Sequence, residues 1–194
     1  MKDYASLSAV RIGDRAVSYA DLDRQGLRLS TLLREKCGAS DNVGIVGQRN
    51  LPSIVGVLGT IYAGRAYVPL NSKFPGNKLR DIVSDATLST VISSSTDWAL
   101  MKAHFTNTPV KNVIIPDQRG SGPDGDLTIF GQDVLEQLPE ASSPLSRPLE
   151  SNVYVMYTSG STGKPKGVKI HSANVLALLR ALNSVYSLEP GFKS

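Results

Sequence analysis

Residues 153–171 read VYVMYTSGSTGKPKGVKIH, and the order of residue types in this stretch decides how the chain is read. A β-branched and aromatic run, 153–157, leads directly into small hydroxyl residues, glycines and two lysines, and a second apolar run resumes at 168–170. A strand that opens into such a loop offers backbone N–H groups, hydroxyls and ammonium groups from one short piece of chain. All of these donate hydrogen bonds and the lysines add charge, so the loop suits a polyphosphate. Gly160, Gly163 and Gly167 let the backbone approach a ligand closely. The spacing differs from that of the common nucleotide cradle, which reads G-x-x-x-x-G-K-[ST] and runs into a helix. Here only two residues separate Gly160 from Gly163, and Lys164 precedes Pro165. Proline brings neither a hydroxyl for a metal ion nor an N–H for a phosphate. A flexible Gly/Ser linker has a similar composition but does not normally carry strand-like runs on both sides.

Outward from this loop, strands and helices alternate. Residues 9–12 and 16–19 flank Gly13-Asp14 as a short hairpin. Ser18 and Asp21 have capping-box spacing, and Leu22, Leu29, Leu32 and Leu33 recur at helical spacing, which predicts a helix over 19–36. A short strand at 43–46, a helix at 51–63 that is apolar nearly all round, and a strand at 67–70 follow. Pro75 opens a helix to about residue 85, because its missing N–H is harmless in a first turn. Strands at 90–92 and 110–115 enclose a short helix at 98–103. The glycines, prolines and aspartates of 116–126 predict an exposed loop, and 139–148 a linker. A last helix, 174–186, carries Val175, Leu178, Leu179, Leu182 and Val185 on one face, which is expected to pack on the sheet. The alternation predicts an α/β fold: a largely parallel β-sheet with helices on both faces. Ligands of such sheets bind beyond the carboxyl ends of strands, where 153–157 delivers the loop. A return strand at 168 pins the far end and leaves the middle mobile.

Composition narrows the class. The chain has 194 residues, 41% apolar and 20% charged, which fits one globular domain with a buried core. A formal charge of +4 with scattered Lys and Arg predicts no nucleic-acid surface and no acidic-membrane surface. The single cysteine, Cys37, cannot form an internal disulfide and reads as a buried small hydrophobe. There is no signal-peptide pattern at the start and no apolar run of membrane-spanning length, so the expected compartment is the cytoplasm. His171 and His104 read as structural or surface residues, Trp98 and the tyrosines as core, and Asp81 and Asp85 as a solvated helix face. No metal-ligand cluster of Cys or His stands out, so no metal-ligating residue is assigned.

The block Tyr157-Thr158-Ser159-Gly160-Ser161-Thr162-Gly163-Lys164-Pro165-Lys166-Gly167 resembles the signature loop of the adenylate-forming superfamily. That superfamily includes the amino-acid adenylation domains of nonribosomal peptide synthetases, acyl-CoA synthetases and firefly luciferase. A second block, Ala63-Gly64-Arg65-Ala66-Tyr67-Val68-Pro69-Leu70-Asn71 with Phe74-Pro75 and Leu79, resembles the amino-acid-adenylating branch, which often has glycine where Arg65 stands. A third, Ser18-Tyr19-Ala20-Asp21-Leu22, resembles the opening motif of the same domains. All three fall in the family order.

The resemblance implies that residues 1–194 are the N-terminal portion of an AMP-forming adenylation domain, the first part of the large N-terminal domain of such an enzyme. The acyl pocket, the metal-binding carboxylate and the small C-terminal domain are expected in the remainder of the enzyme. The family reaction joins a carboxylate to the α-phosphate of ATP and releases pyrophosphate; the acyl group then passes to a thiol, on coenzyme A or on a carrier-protein phosphopantetheine. By resemblance Thr158, Ser159, Ser161 and Thr162 donate to the β- and γ-phosphates, and Lys166 contacts the departing pyrophosphate as the catalytic residue. Lys164 is either a second charge contact or a solvated loop charge. Gly160, Gly163 and Gly167 are backbone positions needed for loop closure. Mg²⁺ is expected with ATP, held mostly by phosphates. The expected substrate is a carboxylic acid, most simply an amino acid, and the expected acceptor a carrier protein. The alternatives are an acyl-CoA synthetase fragment, or a noncatalytic nucleotide-binding chain or split-enzyme half. The isolated chain is expected to be inactive.

Overall fold

The computed structural model describes residues 4–47, 49–141, 143–159 and 164–186. The chain opens with an antiparallel hairpin, β1 (Ser8–Ile12) and β2 (Arg15–Ser18). Ser18 then turns strand into helix α1 (Tyr19–Lys36). Its hydroxyl oxygen accepts the Asp21 N–H at 3.1 Å and donates to the Asp21 carboxylate at 2.7 Å. The cap satisfies one of the N–H groups that a helix start leaves unpaired.

The body of the fold is an eight-stranded sheet in the order β10-β9-β4-β3-β5-β6-β8-β7. Its strands are β3 (Asn42–Val46), β4 (Ala66–Leu70), β5 (Thr90–Ile92), β6 (Asn112–Ile115), β7 (Gly122–Asp124), β8 (Leu127–Gly131), β9 (Asn152–Ser159) and β10 (Pro165–His171). The six central strands run parallel, and each edge is closed by an antiparallel strand, β10 on β9 and β7 on β8.

Side-chain alternation along the strands divides the core in two. Val43, Ile45, Ile92 and Ile114 face α1, α2 (Leu51–Tyr62) and α5 (Gln132–Gln137), where Leu29, Leu32, Leu33, Val55 and Leu135 meet them. Val46, Val68, Leu70, Val91, Val113 and Ile115 face the other layer. That layer is built from α3 (Gly76–Asp85), α4 (Ser95–Met101) and a 3-10 turn (Lys102–Phe105), with Trp98 tilted on Phe105 at 5.3 Å between ring centres. The predicted α/β architecture, with helices on both faces, is the observed one. Among the described residues no helix is long and apolar enough to cross a membrane.

Three expectations need correction. Residues 116–126 are not simply an exposed loop, because β7 lies within them and pairs with β8, a strand not predicted at all. Gly125 (φ 62°) is the first of the two residues between Asp124 and Leu127, the position that a type II′ hairpin turn reserves for glycine. The preceding turn is tied to α5, since Gly120 N and Ser121 Oγ both donate to Asp133 Oδ1 at 3.0 Å. Second, α6 (Ser172–Tyr186) does not bury its apolar face: Leu178, Leu179 and Val185 are 57%, 53% and 73% exposed. Third, Lys166 and Gly167 belong to β10 and not to the loop.

Arg65, for which the sequence suggested no role, joins two elements. Its guanidinium donates to the carbonyls of Leu33, at 2.7 Å, and Gly38, which end α1. A cation on the carbonyl end of a helix is electrostatically favourable. Cys37 is buried beside it, and burial pushes its thiol up to about 11, so it is an inert core group. The described residues of 139–148 form no regular element, but Leu145 N donates to Tyr62 O at 2.9 Å and Arg147 to the carbonyls of Arg65 and Asn152.

Helices α1 and α2 meet at two glycines. A Cβ on Gly59 would lie 2.6 Å from Leu29 Cδ2 and 2.7 Å from Leu29 Cβ, and one on Gly26 3.0 Å from Leu58 Cδ2. Replacing Gly59 by alanine raises helix propensity by about 1 kcal/mol. Overpacking against a side-chain stem costs about 1–3 kcal/mol, and the stem cannot swing away. Packing should win: Gly59→Ala is expected to lower the urea midpoint of the chain, and a raised midpoint would show that the helices can separate freely.

Candidate functional site

The site is the β9–β10 hairpin and the loop it carries. β9 enters from the core with Val153 and Val155 buried, and pairs with β10 so that Thr158 stands opposite Lys166, Tyr157 opposite Gly167 and Met156 opposite Val168. Opposed residues of an antiparallel pair share a face, and neighbours along a strand take opposite faces. Thr158 and Lys166 therefore share one face and are exposed, while Tyr157 and Gly167 share the other.

On that second face the packing is close. A Cβ on Gly167 would lie 2.9 Å from Val155 Cγ1, 3.0 Å from Tyr157 Cζ and 3.2 Å from the Tyr157 hydroxyl. Glycine is thus required here because the Tyr157 ring crosses over it, a different reason from the loop flexibility read from sequence. The Tyr157 side chain is 9% exposed and its hydroxyl donates to Asp85 Oδ2 at 2.5 Å, at the end of α3. Burial raises the phenol above its ordinary range, and the Asp85 carboxylate raises it further, so it stays protonated and donates. Sequence reasoning missed this pair. The residues are 72 apart, and Asp85, exposed on α3 as expected, gave no sign of a distant partner.

The backbone on the other side of β9 is sparsely held. β4 and β9 share one register pair, Tyr67↔Tyr154, whose rings stack at 5.3 Å between centres. Ala66 N donates to Asp41 O and Leu70 O accepts from Gly47 N, so the even-numbered residues of β4 turn their polar groups towards β3. The odd-numbered ones face β9. The next donor the β4–β9 ladder needs is then the N–H of residue 69, and residue 69 is proline.

Of the other residues expected in the site, Lys164 is exposed at the start of the return strand, and Ser159 is the last residue of β9, opposite Pro165. Gly160, Ser161, Thr162 and Gly163, and with them the expected mobile middle of the loop, lie outside the described residues. His171 is exposed, with its backbone N–H on Asn174 Oδ1 at 3.0 Å. His104 is half-buried against the N-terminus of α3 at Gly76. A cleft of about 320 Å³ opens elsewhere, among Arg15, Arg24, Arg28, Gln132 and Glu136. None of the loop residues lines it, and two of its three arginines already engage carboxylates: Arg24 with Asp21 at 2.9 Å, Arg28 with Glu140 at 3.8 Å. At the hairpin, among the described residues, the exposed Thr158, Lys164 and Lys166 lie together at a strand's carboxyl end.

A family profile described as AMP-binding enzyme matches residues 2–193. The chain belongs to the AMP-binding enzyme family. It is 34% identical to bacitracin synthase 1 of Bacillus licheniformis over 176 residues, which is 90% of this chain and 3% of that protein. Among solved structures, IdnL7 is similar with a TM-score of 0.77 and 25% identity, over 95% of this chain and 36% of its own. The nonribosomal peptide synthetase FmoA3, solved in an α-methyl-L-serine-AMP bound form, shares the fold with a TM-score of 0.72 and 23% identity. This match covers 96% of the present chain and 19% of FmoA3. The chain thus spans well under half the length of each of these proteins.

In this AMP-binding family member the hairpin geometry makes Gly167 a packing position. Gly167→Ala should force Tyr157 off Asp85 and destabilise the chain by about 1–3 kcal/mol, as overpacking generally does. Urea unfolding with amide exchange across β10 is the check: unchanged protection of β10 would show that the ring does not hold its observed place.

Proposed function

We propose that residues 1–194 are the N-terminal portion of an adenylation domain whose β9–β10 loop binds the phosphates of ATP. The complete enzyme would activate an amino acid as an aminoacyl-adenylate, release pyrophosphate, and pass the acyl group to a carrier-protein phosphopantetheine thiol. The observation that carries the reading is the register that stands Lys166 beside Thr158 on the exposed face of a hairpin at a strand's carboxyl end. Membership of the AMP-binding family supports the nucleotide. The wording of residues 63–71, and the α-methyl-L-serine-AMP bound form in which FmoA3 was solved, support an amino acid as the acid.

The substrate carboxylate is already ionised at neutral pH, so no side chain needs to deprotonate it. Two anions must approach, and charge accumulates on the leaving pyrophosphate, so positioning and electrostatic stabilisation carry the catalysis. Lys166 supplies the charge on the pyrophosphate side. The hydroxyls of Thr158, Ser159, Ser161 and Thr162, with backbone N–H groups around Gly160 and Gly163, orient the β- and γ-phosphates, and Lys164 adds a second charge at the entrance. Mg²⁺ enters with the nucleotide and neutralises part of its charge; the loop's hydroxyl and ammonium groups suit the remaining phosphate oxygens. The chain alone, which spans 36% of the length of IdnL7, should not catalyse the reaction.

The test is ATP–pyrophosphate exchange by the complete protein across a panel of amino, fatty and aryl acids. Exchange with one amino acid is expected. Lys166→Ala should reduce it at least about a hundredfold, as loss of a transition-state charge contact does, while the protein stays folded. Exchange that survives this substitution would remove Lys166 from the mechanism, and exchange with fatty or aryl acids only would place the protein with the acyl-CoA ligases.

A further inference from the structure

The hairpin that carries the loop has an odd mechanical situation. Its two strands pair with each other from Pro165↔Ser159 to His171↔Asn152, with one irregularity between Ile170 and His171. Its attachment to the rest of the sheet is one register pair, Tyr67↔Tyr154, at the end far from the loop. Beyond that pair the ladder meets Pro69, which has no N–H to give. The half of β9 that reaches the loop therefore lacks a ladder hydrogen bond to β4, and Val155 and Tyr157 hold it to the core by packing. Among these contacts Tyr157 adds a directed polar tie. The Tyr157 hydroxyl reaches Asp85 Oδ2 at 2.5 Å, across the face where Gly167 leaves room for the ring.

Asp85 itself sits in a place that needs explaining. It is the last residue of α3, where a carboxylate meets the negative end of the helix and is mildly destabilising by helix electrostatics alone. No lysine, arginine or histidine forms an ion pair with it among the described residues. Its contact with a buried tyrosine is a hydrogen bond to an ionised acceptor, the stronger class.

We propose that Tyr157 and Asp85 are positioning residues for the phosphate loop: their hydrogen bond replaces the backbone ladder that Pro69 interrupts and fixes where Lys166 and Thr158 stand. The geometry supports this directly. Tyr157 neighbours Thr158 along β9 and opposes Gly167, which neighbours Lys166 along β10. The anchor and the chemistry thus occupy alternate positions of the same two strands, and a displacement of one carries the other with it. This role rests on the phosphate reading of the loop, and it concerns how the loop is held rather than what it binds.

The decisive substitutions are Tyr157→Phe, Asp85→Ala and Asp85→Asn. Phenylalanine keeps the ring over Gly167 and removes only the hydroxyl, while asparagine keeps an acceptor oxygen. In the 194-residue chain, amide hydrogen exchange at residues 166–168 should accelerate roughly tenfold or more in Tyr157→Phe and Asp85→Ala, as loss of a hydrogen bond to a charged group implies. Exchange in the core strands β3 and β5 should not change. In the complete protein both variants should lower kcat of ATP–pyrophosphate exchange by roughly ten- to a hundredfold with the KM for the acid little changed. Asp85→Asn should restore most of the loss, and the double variant Tyr157→Phe/Asp85→Ala should be no worse than either single one. Native-like protection at 166–168 in Tyr157→Phe, or losses that add in the double variant, would overturn the proposal. Should Lys166→Ala abolish turnover while Tyr157→Phe leaves it intact, the positioning role alone fails. Should Lys166→Ala leave turnover intact, the phosphate reading fails, and amide exchange still decides whether the clamp exists.

Discussion

A parallel sheet buried on both faces has no room for chemistry in its middle. Every side chain of β3, β5 and β6 that points to either layer is enclosed by helices, and the backbone is consumed by the ladder. Reactive groups are left with the ends and edges of the strands, and the carboxyl ends are where loops diverge to opposite layers and leave open backbone donors. The position of the signature loop follows from that constraint. It lies at the carboxyl end of β9, next to the sheet edge, and the strand that returns from it becomes the edge.

An edge position brings its own difficulty, because a hairpin pinned on one side is a poor platform for a loop proposed to bind a nucleotide, which demands close positioning. β4 would ordinarily hold it along its length, but Pro69 removes the donor at the point where the ladder should continue. Two different interactions take over. The Tyr67–Tyr154 stack holds the root, and the Tyr157 hydroxyl on Asp85 holds the half nearer the loop. Side-chain tethers of this kind are weaker and more local than a ladder. That suits the nucleotide-binding role proposed for the loop. Proline in β4 and tyrosine in β9 are then two halves of one arrangement, although they lie in separate sequence blocks.

The sequence made the sheet legible because its signals are local. Capping at Ser18, leucines at helical spacing and β-branched runs between turns name α1, β3, β5 and β9 from short windows, and the bounds of α1 and β5 are those expected. What it concealed is of two kinds. β7 escaped because a composition rich in glycine, proline and aspartate looks like a loop, although Gly125 sits where a tight hairpin wants it; β8 and α5 fall in 127–138, for which no element was predicted although Leu127 and Ile129 alternate as a strand. The Tyr157–Asp85 contact, the capping of α1 by Arg65 and the role of Gly167 escaped for a deeper reason. Each depends on residues brought together from distant parts of the chain, and no spacing rule within one segment encodes them. The amphipathic pattern of 174–186 was read correctly as a helix, but a pattern states that a face is apolar and not what covers it.

Within the hairpin, the pleat reconciles a firm anchor with a lysine facing solvent. Had Lys166 shared a face with Tyr157, its ammonium would have been drawn towards Asp85 and the buried ring, away from any ligand. Because successive residues alternate, one step along β10 separates Gly167, which faces the Tyr157 ring, from Lys166, which faces the other way. The same alternation makes the arrangement intolerant of slippage, since a shift of one residue would drive Lys166 against Val155 and leave Gly167 on the exposed face. The close approach at Gly167 is therefore a register lock as well as a packing contact. Any register that puts a side chain beneath the Tyr157 ring collides with it, and the observed one puts a hydrogen atom there.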